Sequence, residues 1–283
     1  MQSVAIVGVG LIGGSFALAL RRAGFAGGIV GVSSPRAIDA ALEVGAIDRS
    51  ATLAEACGAA DLIYLAGPIH KILAVIPELD AVVKPGALVT DAGSTKRRIC
   101  EAGSLLKNAQ FLGGHPMAGK ESRGVGSAEA TLFQGRPYLL TPAVLEDLET
   151  PGAREFVEWI TAIGAEPRVL SPQLHDRVVA HSSHLPQLMS TTLAATLGAH
   201  PDSCAIAAAA GPGLLDSTRL AMSAWEIWHD ILDTNRAEIV SALAAYEERL
   251  RAVRMELEAG SVEETFLAGG EFARGLRDER TGK

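Results

Sequence analysis

An α/β fold in two parts, a doubly wound parallel sheet followed by an all-α region, is predicted by three observations. Short apolar, β-prone runs alternate with amphipathic helical stretches through the first half of the chain and on to about residue 170. A glycine-rich turn joins the first such run to the first helical stretch. After Ser171-Pro172 the pattern is helical nearly to the end, rich in alanine and leucine and poor in strand signals. These place one domain at 1–170 and a second at 171–283. With 283 residues, 48% of them hydrophobic, the chain can fill two cores.

The first strand is Val4-Ala5-Ile6-Val7, which runs into Gly8-Val9-Gly10-Leu11-Ile12-Gly13-Gly14-Ser15 and then the helical Phe16-Ala17-Leu18-Ala19-Leu20. Gly8 permits the tight turn, Gly10 lets a diphosphate approach the backbone, and Gly13 allows close helix packing. Leu11 and Ile12 open the helix whose N-terminus attracts the anion. This is a Rossmann-type dinucleotide-binding turn, with the strand before it and the helix after it that the motif requires. The second strand, Ile29–Val32, ends at Ser33, twenty residues past Gly13, where an acid usually binds the ribose of NAD. No acid stands there. Ser33, Ser34 and Arg36 instead offer hydroxyls and a guanidinium for a 2′-phosphate, which favours NADP, or use of both NADP and NAD; the other reading of Arg36 is a solvated residue opening the next helix.

Further strands are expected at Leu62–Leu65, Leu88–Thr90, Phe111-Leu112, Tyr138–Leu140 and Pro167–Leu170, with helices from about Ile69 and from Lys96 and an amphipathic segment around Phe156, Trp159 and Ile160. The charged stretch Glu271–Lys283 reads as a frayed tail.

Composition removes several classes of function. The net charge of −8 and 5% aromatic content offer neither a phosphate-tracking surface nor base-stacking platforms, so nucleic acid is not an expected partner. Cys57, Cys100 and Cys204 are widely spaced and include no CxxC pair, which suits reduced thiols in a cytoplasm, packing roles and no zinc framework. The amino terminus lacks a basic leader, and the Ala205–Ala210 run is too short to span a bilayer, so neither secretion nor a membrane partner is expected.

The chemistry centres on Gly113-Gly114-His115-Pro116-Met117-Ala118-Gly119, an imidazole just past a strand end, where ligands collect in open α/β sheets. Taken alone, His115 is either a working group or a turn histidine bonded to its own loop. Beside it the topology brings Asp91-Ala92-Gly93-Ser94-Thr95-Lys96 and Glu121. Ser94 can donate to a bound oxygen or cap the helix beginning near Thr95. Lys96 belongs in that helix's first turn, and Glu121 is a lid residue or an exposed charge. In the helical half, Arg219 follows Gly211-Pro212-Gly213-Leu214-Leu215-Asp216-Ser217-Thr218; its planar fork of donors suits a carboxylate, unless it serves only a surface ion pair. His181 and His184 have no matching carboxylate or thiol set, so no metal is expected, and both read as core histidines or as supports for other site residues.

Together the segments GVGLIGGS, DAGSTK, GGHPMAGKE, HDRVVAHSSHLP and GPGLLDSTR closely resemble the prephenate and arogenate dehydrogenase family of tyrosine biosynthesis, in order and over most of the chain. The resemblance implies NAD(P)-dependent oxidative decarboxylation of prephenate, arogenate or both, giving 4-hydroxyphenylpyruvate or tyrosine. It implies His115 as catalytic histidine, Ser94 as its hydrogen-bonding partner, Arg219 as a substrate-binding arginine, Glu121 as a gating acid, and His184 and Trp228 as pocket residues. A homodimer through the C-terminal helices is also implied, in keeping with the apolar face of Leu243, Leu250 and Val253. One departure bears on substrate: prephenate users often carry a second histidine after HLP, where this chain has Gln187, which brings arogenate forward. Two rivals are a β-hydroxyacid dehydrogenase or imine reductase and a non-catalytic nucleotide sensor. The first resembles enzymes that use a helical-domain lysine, and none occurs between Lys120 and Lys283; the second leaves His115, Ser94 and Arg219 without a role.

Ser33→Asp should shift cofactor preference towards NAD by supplying the missing ribose acceptor. Unchanged Michaelis constants for both cofactors would refute this reading of the second strand.

Overall fold

The computed structural model describes residues 1–120 and 122–281. The chain divides into two compact units, residues 1–236 and 237–283. In the first unit a sheet of β1 (Ser3–Val7), β2 (Gly28–Val32), β3 (Arg49–Ser50), β4 (Leu62–Leu65), β5 (Leu88–Asp91), β6 (Gln110–Pro116), β7 (Pro137–Thr141) and β8 (Glu166–Val169) has the order β3-β2-β1-β4-β5-β6-β7-β8. Helices α1 (Leu11–Arg22), α2 (Pro35–Glu43), α3 (Leu53–Ala59), α4 (Ile69–Leu79), α5 (Arg97–Gly103) and α6 (Pro151–Ala162) connect the strands. The order reverses between β1 and β4, which makes the carboxyl ends of those strands the crevice where such sheets take ligands.

The centre of this unit is aromatic. Phe16 of α1 stacks on Tyr64 of β4 with ring centroids 4.0 Å apart, and Phe133 and Phe156 meet Phe16 edge-on. All four are fully buried, each contributing about 1.5–3 kcal/mol by leaving water. The alternating run of Phe16, Ala17 and Leu20 thus fixes α1 against the sheet, and with it the turn that precedes α1.

Two features of the sheet differ from the sequence expectation. The strand that begins at Gln110 runs on through the glycines to Pro116, so His115 lies in β6, paired with Leu139, and not in a loop beyond the strand. β6 is parallel to β5 through Leu112 and antiparallel to β7 from Gly113, so the sheet is not parallel throughout. Gly113 and Gly114 are needed here for close packing: a Cβ at Gly113 would lie 2.2 Å from Thr141 Oγ1, and one at Gly114 2.6 Å from the Asp91 carbonyl. Their pairing serves strand approach, a demand that imitates a turn signal in the sequence.

The helical part of the first unit comprises α7 (Pro172–Val179), α8 (Leu185–Gly198), α9 (Ser203–Ala208), α10 (Pro212–Thr218) and α11 (Trp225–Thr234). A π-helical turn, Ala180–His184, links α7 to α8, the kind of irregularity that often marks a working site. Ser171 caps α7 by accepting from Leu174 N. The long α12 (Arg236–Ala259) runs into the second unit, where α13 (Glu263–Thr281) replaces the expected frayed tail as far as residue 281. Within that unit Arg249, Glu256 and Thr265 tie the two helices together. Leu243 and Leu250 stay exposed, with Val253 half-buried. Cys204 is exposed on α9, so it is not the packing residue expected of it, whereas Cys57 is buried. Among the described residues no helix is long and apolar enough to cross a membrane.

Gly114→Ala should destabilise the protein by about 1–3 kcal/mol, because β5 and β6 must move apart to admit the methyl group. Urea unfolding midpoints test this, and an unchanged midpoint would show that the strands have slack.

Candidate active site

The nucleotide end of the site is built by glycine. Gly8 sits at φ +98°, and a Cβ on it would lie 2.7 Å from Gly67 N, so the turns after β1 and β4 touch at the switch point. Gly13 is equally constrained, its hypothetical Cβ falling 2.3 Å from the Gly8 carbonyl. Gly10 has open space around the same position and forms the N-cap of α1, with no side chain occupying that helix end. An uncapped helix N-terminus beside an open glycine fits a diphosphate. Leu11 and Ile12 line a cavity of about 350 Å³ with the turns after β4 and β5, Ser94 included. Ser33, Ser34 and Arg36 are exposed just beyond β2, with Ser34 as the N-cap of α2.

The turn after β5 is held by a buried ion pair. Lys96 Nζ bonds to Asp91 Oδ2, and both side chains are fully buried. The carboxylate also accepts from Gly93 N at 2.8 Å and, across to β6, from Gly114 N at 3.1 Å. Both carboxylate oxygens of Asp91 are thus engaged, and Ser94 is presented half-buried at the cavity wall. Ser94 is not the helix cap: α5 begins at Arg97, and its exposed N–H groups are met from elsewhere in the chain.

That partner is Asp176. Its Oδ1 accepts from Lys96 N at 2.6 Å and its Oδ2 from Arg97 N at 3.0 Å, so a carboxylate of α7 caps α5. The same Oδ1 lies 2.9 Å from His175 Nδ1, and His175 Nε2 lies 2.9 Å from His115 Nδ1. Asp176, His175 and His115 therefore form one buried chain, with relative exposures of 1%, 0% and 8%. Burial, followed by the neighbouring His175, Lys96 and His184, pushes the His115 pKa well below the ordinary imidazole range. Burial likewise lowers His175, against the opposing bond to Asp176. For Asp176 burial is outweighed by the bonds from His175, Lys96 N and Arg97 N, which hold its pKa below the usual carboxylate range.

His184, on the π turn, is 1% exposed, and burial brings its pKa down to about 4. Asn235 Nδ2 faces both the Asp176 carbonyl at 2.8 Å and His184 Nδ1 at 3.3 Å. A carbonyl only accepts, so Nδ2 is the donor, and His184 carries its proton on Nε2. Trp228 of α11 meets His184 edge-on at 5.9 Å. Gln187 donates from Nε2 to the Leu220 carbonyl at 2.7 Å and to Thr191 Oγ1 at 3.1 Å, pinning the turn Arg219–Met222 to α8. Arg219 begins that turn with an exposed side chain, apart from the residues that line the cavity. Glu121 lies outside the described residues. His181 Nδ1 meets the Arg177 carbonyl. His70, His229 and Asp230 place donor atoms within 4.8 Å of one another, but Asp230 is already occupied by His70 N at the start of α4.

Residues 16–162 match the model of the prephenate dehydrogenase nucleotide-binding domain, and residues 171–272 match that of the prephenate dehydrogenase dimerization domain. The chain belongs to the prephenate dehydrogenase family. Prephenate dehydrogenase of Bacillus subtilis is 30% identical over 273 residues, covering 94% of this chain and 72% of that protein. Among solved structures, Aquifex aeolicus prephenate dehydrogenase in complex with hydroxyphenyl propionate and NAD+ superposes with a TM-score of 0.86 at 31% identity, covering 100% of this chain and 98% of the other. Synechocystis arogenate dehydrogenase superposes at 0.83 and 29% identity, covering 98% and 99%. A 3-hydroxyisobutyrate dehydrogenase of Mycobacterium tuberculosis, at 0.56 and 15%, shares the fold alone.

For this prephenate dehydrogenase family member, three groups escaped sequence reasoning. The adjacent His175 and Asp176 were visible as a pair, but nothing in their spacing says that they face β6. Asn235, buried between Asp176 and His184, carried no signal at all. The Asp91–Lys96 pair had a signal, a five-residue separation across a glycine turn, which also suits two solvated charges.

Lys96→Met should lower stability by about 3–5 kcal/mol, since it leaves the buried Asp91 carboxylate without its counter-charge. Urea denaturation at neutral pH measures the loss; a change below 1 kcal/mol, on the order of a surface pair, would show that the turn is held by other contacts.

Proposed function

We propose that this chain catalyses oxidative decarboxylation of a cyclohexadienol, prephenate or arogenate, with His115 as the base. The observation that carries the reading is a buried, neutral imidazole at the end of β6, one strand from the turn that presents Ser94 to the nucleotide cavity. Gly8, Gly10 and Gly13 with the α1 N-terminus would hold the diphosphate. When bound, the nicotinamide supplies the acceptor for hydride from the ring carbinol carbon. His115 takes the hydroxyl proton as that carbon becomes a carbonyl, and Ser94 donates to the same oxygen. Loss of the ring carboxylate as carbon dioxide then aromatises the ring. The proton held by His115 returns to what is now a phenolic oxygen, so no net proton is released and the base needs no open path to water.

Arg219 would pair with a substrate carboxylate as a bidentate donor. Gln187 spends its amide hydrogens on Leu220 and Thr191, so what it has left to offer is its carbonyl oxygen. An acceptor suits the ammonium of arogenate better than the keto group of prephenate. Ser33, Ser34 and Arg36 favour NADP over NAD for the reason given by their chemistry. His184 and Trp228 would close the pocket wall. A homodimer through the C-terminal helices is supported by the dimerization-domain match and the exposed Leu243 and Leu250, and a cytoplasmic location by three free thiols. Parallel kinetics with prephenate and arogenate, each with NAD and NADP, test the whole reading; no reduction in any combination would refute it.

His115→Asn should lower turnover by about 10²- to 10⁴-fold while the cofactor still binds. In the wild type the acid limb of kcat/KM should lie below the ordinary imidazole pKa of about 6.5, since lowering keeps His115 in its base form to more acidic pH. A limb at or above that value would contradict the buried environment. Arg219→Gln should mainly raise the Michaelis constant, by the equivalent of about 1.5–3 kcal/mol of charged hydrogen bond. Unchanged substrate affinity would remove Arg219 from the site.

A further inference from the structure

We infer that Asp176 and His175 are positioning residues that fix which nitrogen of His115 is the base, an inference that rests on the reading of His115 given above. The protons along the buried chain can be counted. Asp176 already accepts from Lys96 N and Arg97 N, two backbone donors that call for a carboxylate. An ionised carboxylate has no proton to give, so His175 Nδ1 must carry the hydrogen between them. A neutral His175 then has a bare Nε2, an acceptor. His115 Nδ1 lies 2.9 Å away and must supply the proton of that bond. Nε2 of His115 is thereby left with its lone pair, and it is the nitrogen that can receive the hydroxyl proton.

Other assignments of protons cost more. Placing the hydrogen on His175 Nε2 would leave its Nδ1 lone pair against the Asp176 carboxylate in a site that excludes water. Protonating both nitrogens of His175 would put an imidazolium next to Lys96, whose charge bears on it with those of Asp91 and Asp176. His115 in turn faces His175, Lys96 and His184. Asp176 and Asp91 favour a charged His175, but burial outweighs them and Lys96 opposes them, so the neutral, directed chain is the favoured one. It also prepares for the charged intermediate: when His115 takes its second proton, the Nδ1–H bond to His175 becomes charge-assisted, and the Asp176 carboxylate lies at the far end of the same chain. His115 stands on the sheet and the other two on α7, so the working base is completed by contact between the sheet and the first helix of the helical region.

Two variants and one spectrum test the proposal. His175→Phe removes the acceptor, whereas His175→Gln can return one through its amide oxygen. His175→Phe should lower kcat by about 10- to 100-fold, a part of what a positioned base supplies, with the cofactor Michaelis constant little changed. His175→Gln should recover much of the loss, which a cavity-filling role for the ring would not produce. In nitrogen-15 histidine spectra of the wild type, the resonances lost in His115→Asn should be a protonated Nδ1 and an unprotonated Nε2. The opposite tautomer, or a His175→Phe variant with wild-type kcat, would overturn the inference. If His115→Asn lowers turnover as predicted while His175→Phe keeps wild-type kcat, only this inference falls; if His115→Asn keeps normal turnover, the assignment of the base falls with it.

Discussion

One carboxylate has to stay ionised inside this protein, and much of the site is arranged around that need. Asp176 is 1% exposed, yet its oxygens receive two backbone N–H groups and an imidazole. A buried anion is tolerated only when its lone pairs are satisfied. Meeting that demand draws α5, α7 and β6 together, and it does so at the place where the chain's only strand-borne histidine among the described residues stands. Asn235 extends the same cluster by bonding the Asp176 carbonyl and His184. Packing and hydrogen bonding are thus coupled at one side chain: the carboxylate that docks α7 on the sheet also begins the buried chain that runs through His175 to His115.

A second cluster does similar work one turn away. Asp91 and Lys96 neutralise each other in the turn after β5, and Asp91 reaches Gly114 N on the neighbouring strand. The ion pair therefore sets the spacing of β5 and β6 and the presentation of Ser94. Lys96 contributes to His115 as well, its positive charge helping to keep the imidazole neutral. Glycine makes these approaches possible, at Gly8 and Gly13 for the nucleotide turn and at Gly113 and Gly114 for the strands. Each of these positions would place a Cβ inside a neighbour's van der Waals radius.

The local patterns were legible in the sequence because local rules set them. The strand–turn–helix at Gly8–Gly13 and the alternating elements before residue 170 follow from φ preferences and hydrophobic period. Partner identity was harder to read. The glycines before His115 suggest a turn because glycine tolerates turns, but here they answer steric demands from Thr141 and Asp91, residues distant in sequence. Ser94 resembles a helix cap by type, yet the cap on α5 is supplied by Asp176, eighty residues away. The charged segment from Glu271 looks frayed because it lacks apolar residues, and it is helical to residue 281 all the same. The family resemblance adds what spacing could not, because it implies a single reaction for His115, Ser94 and Arg219, the roles proposed for them above.

The most direct measurement is a stoichiometry. Purified protein in excess is mixed with prephenate or arogenate and oxidised nicotinamide cofactor, and carbon dioxide and reduced cofactor are counted together over a single turnover. Equal amounts of the two, with at least one of the substrates, are predicted. Reduced cofactor without carbon dioxide, or neither product with either substrate, would contradict the account.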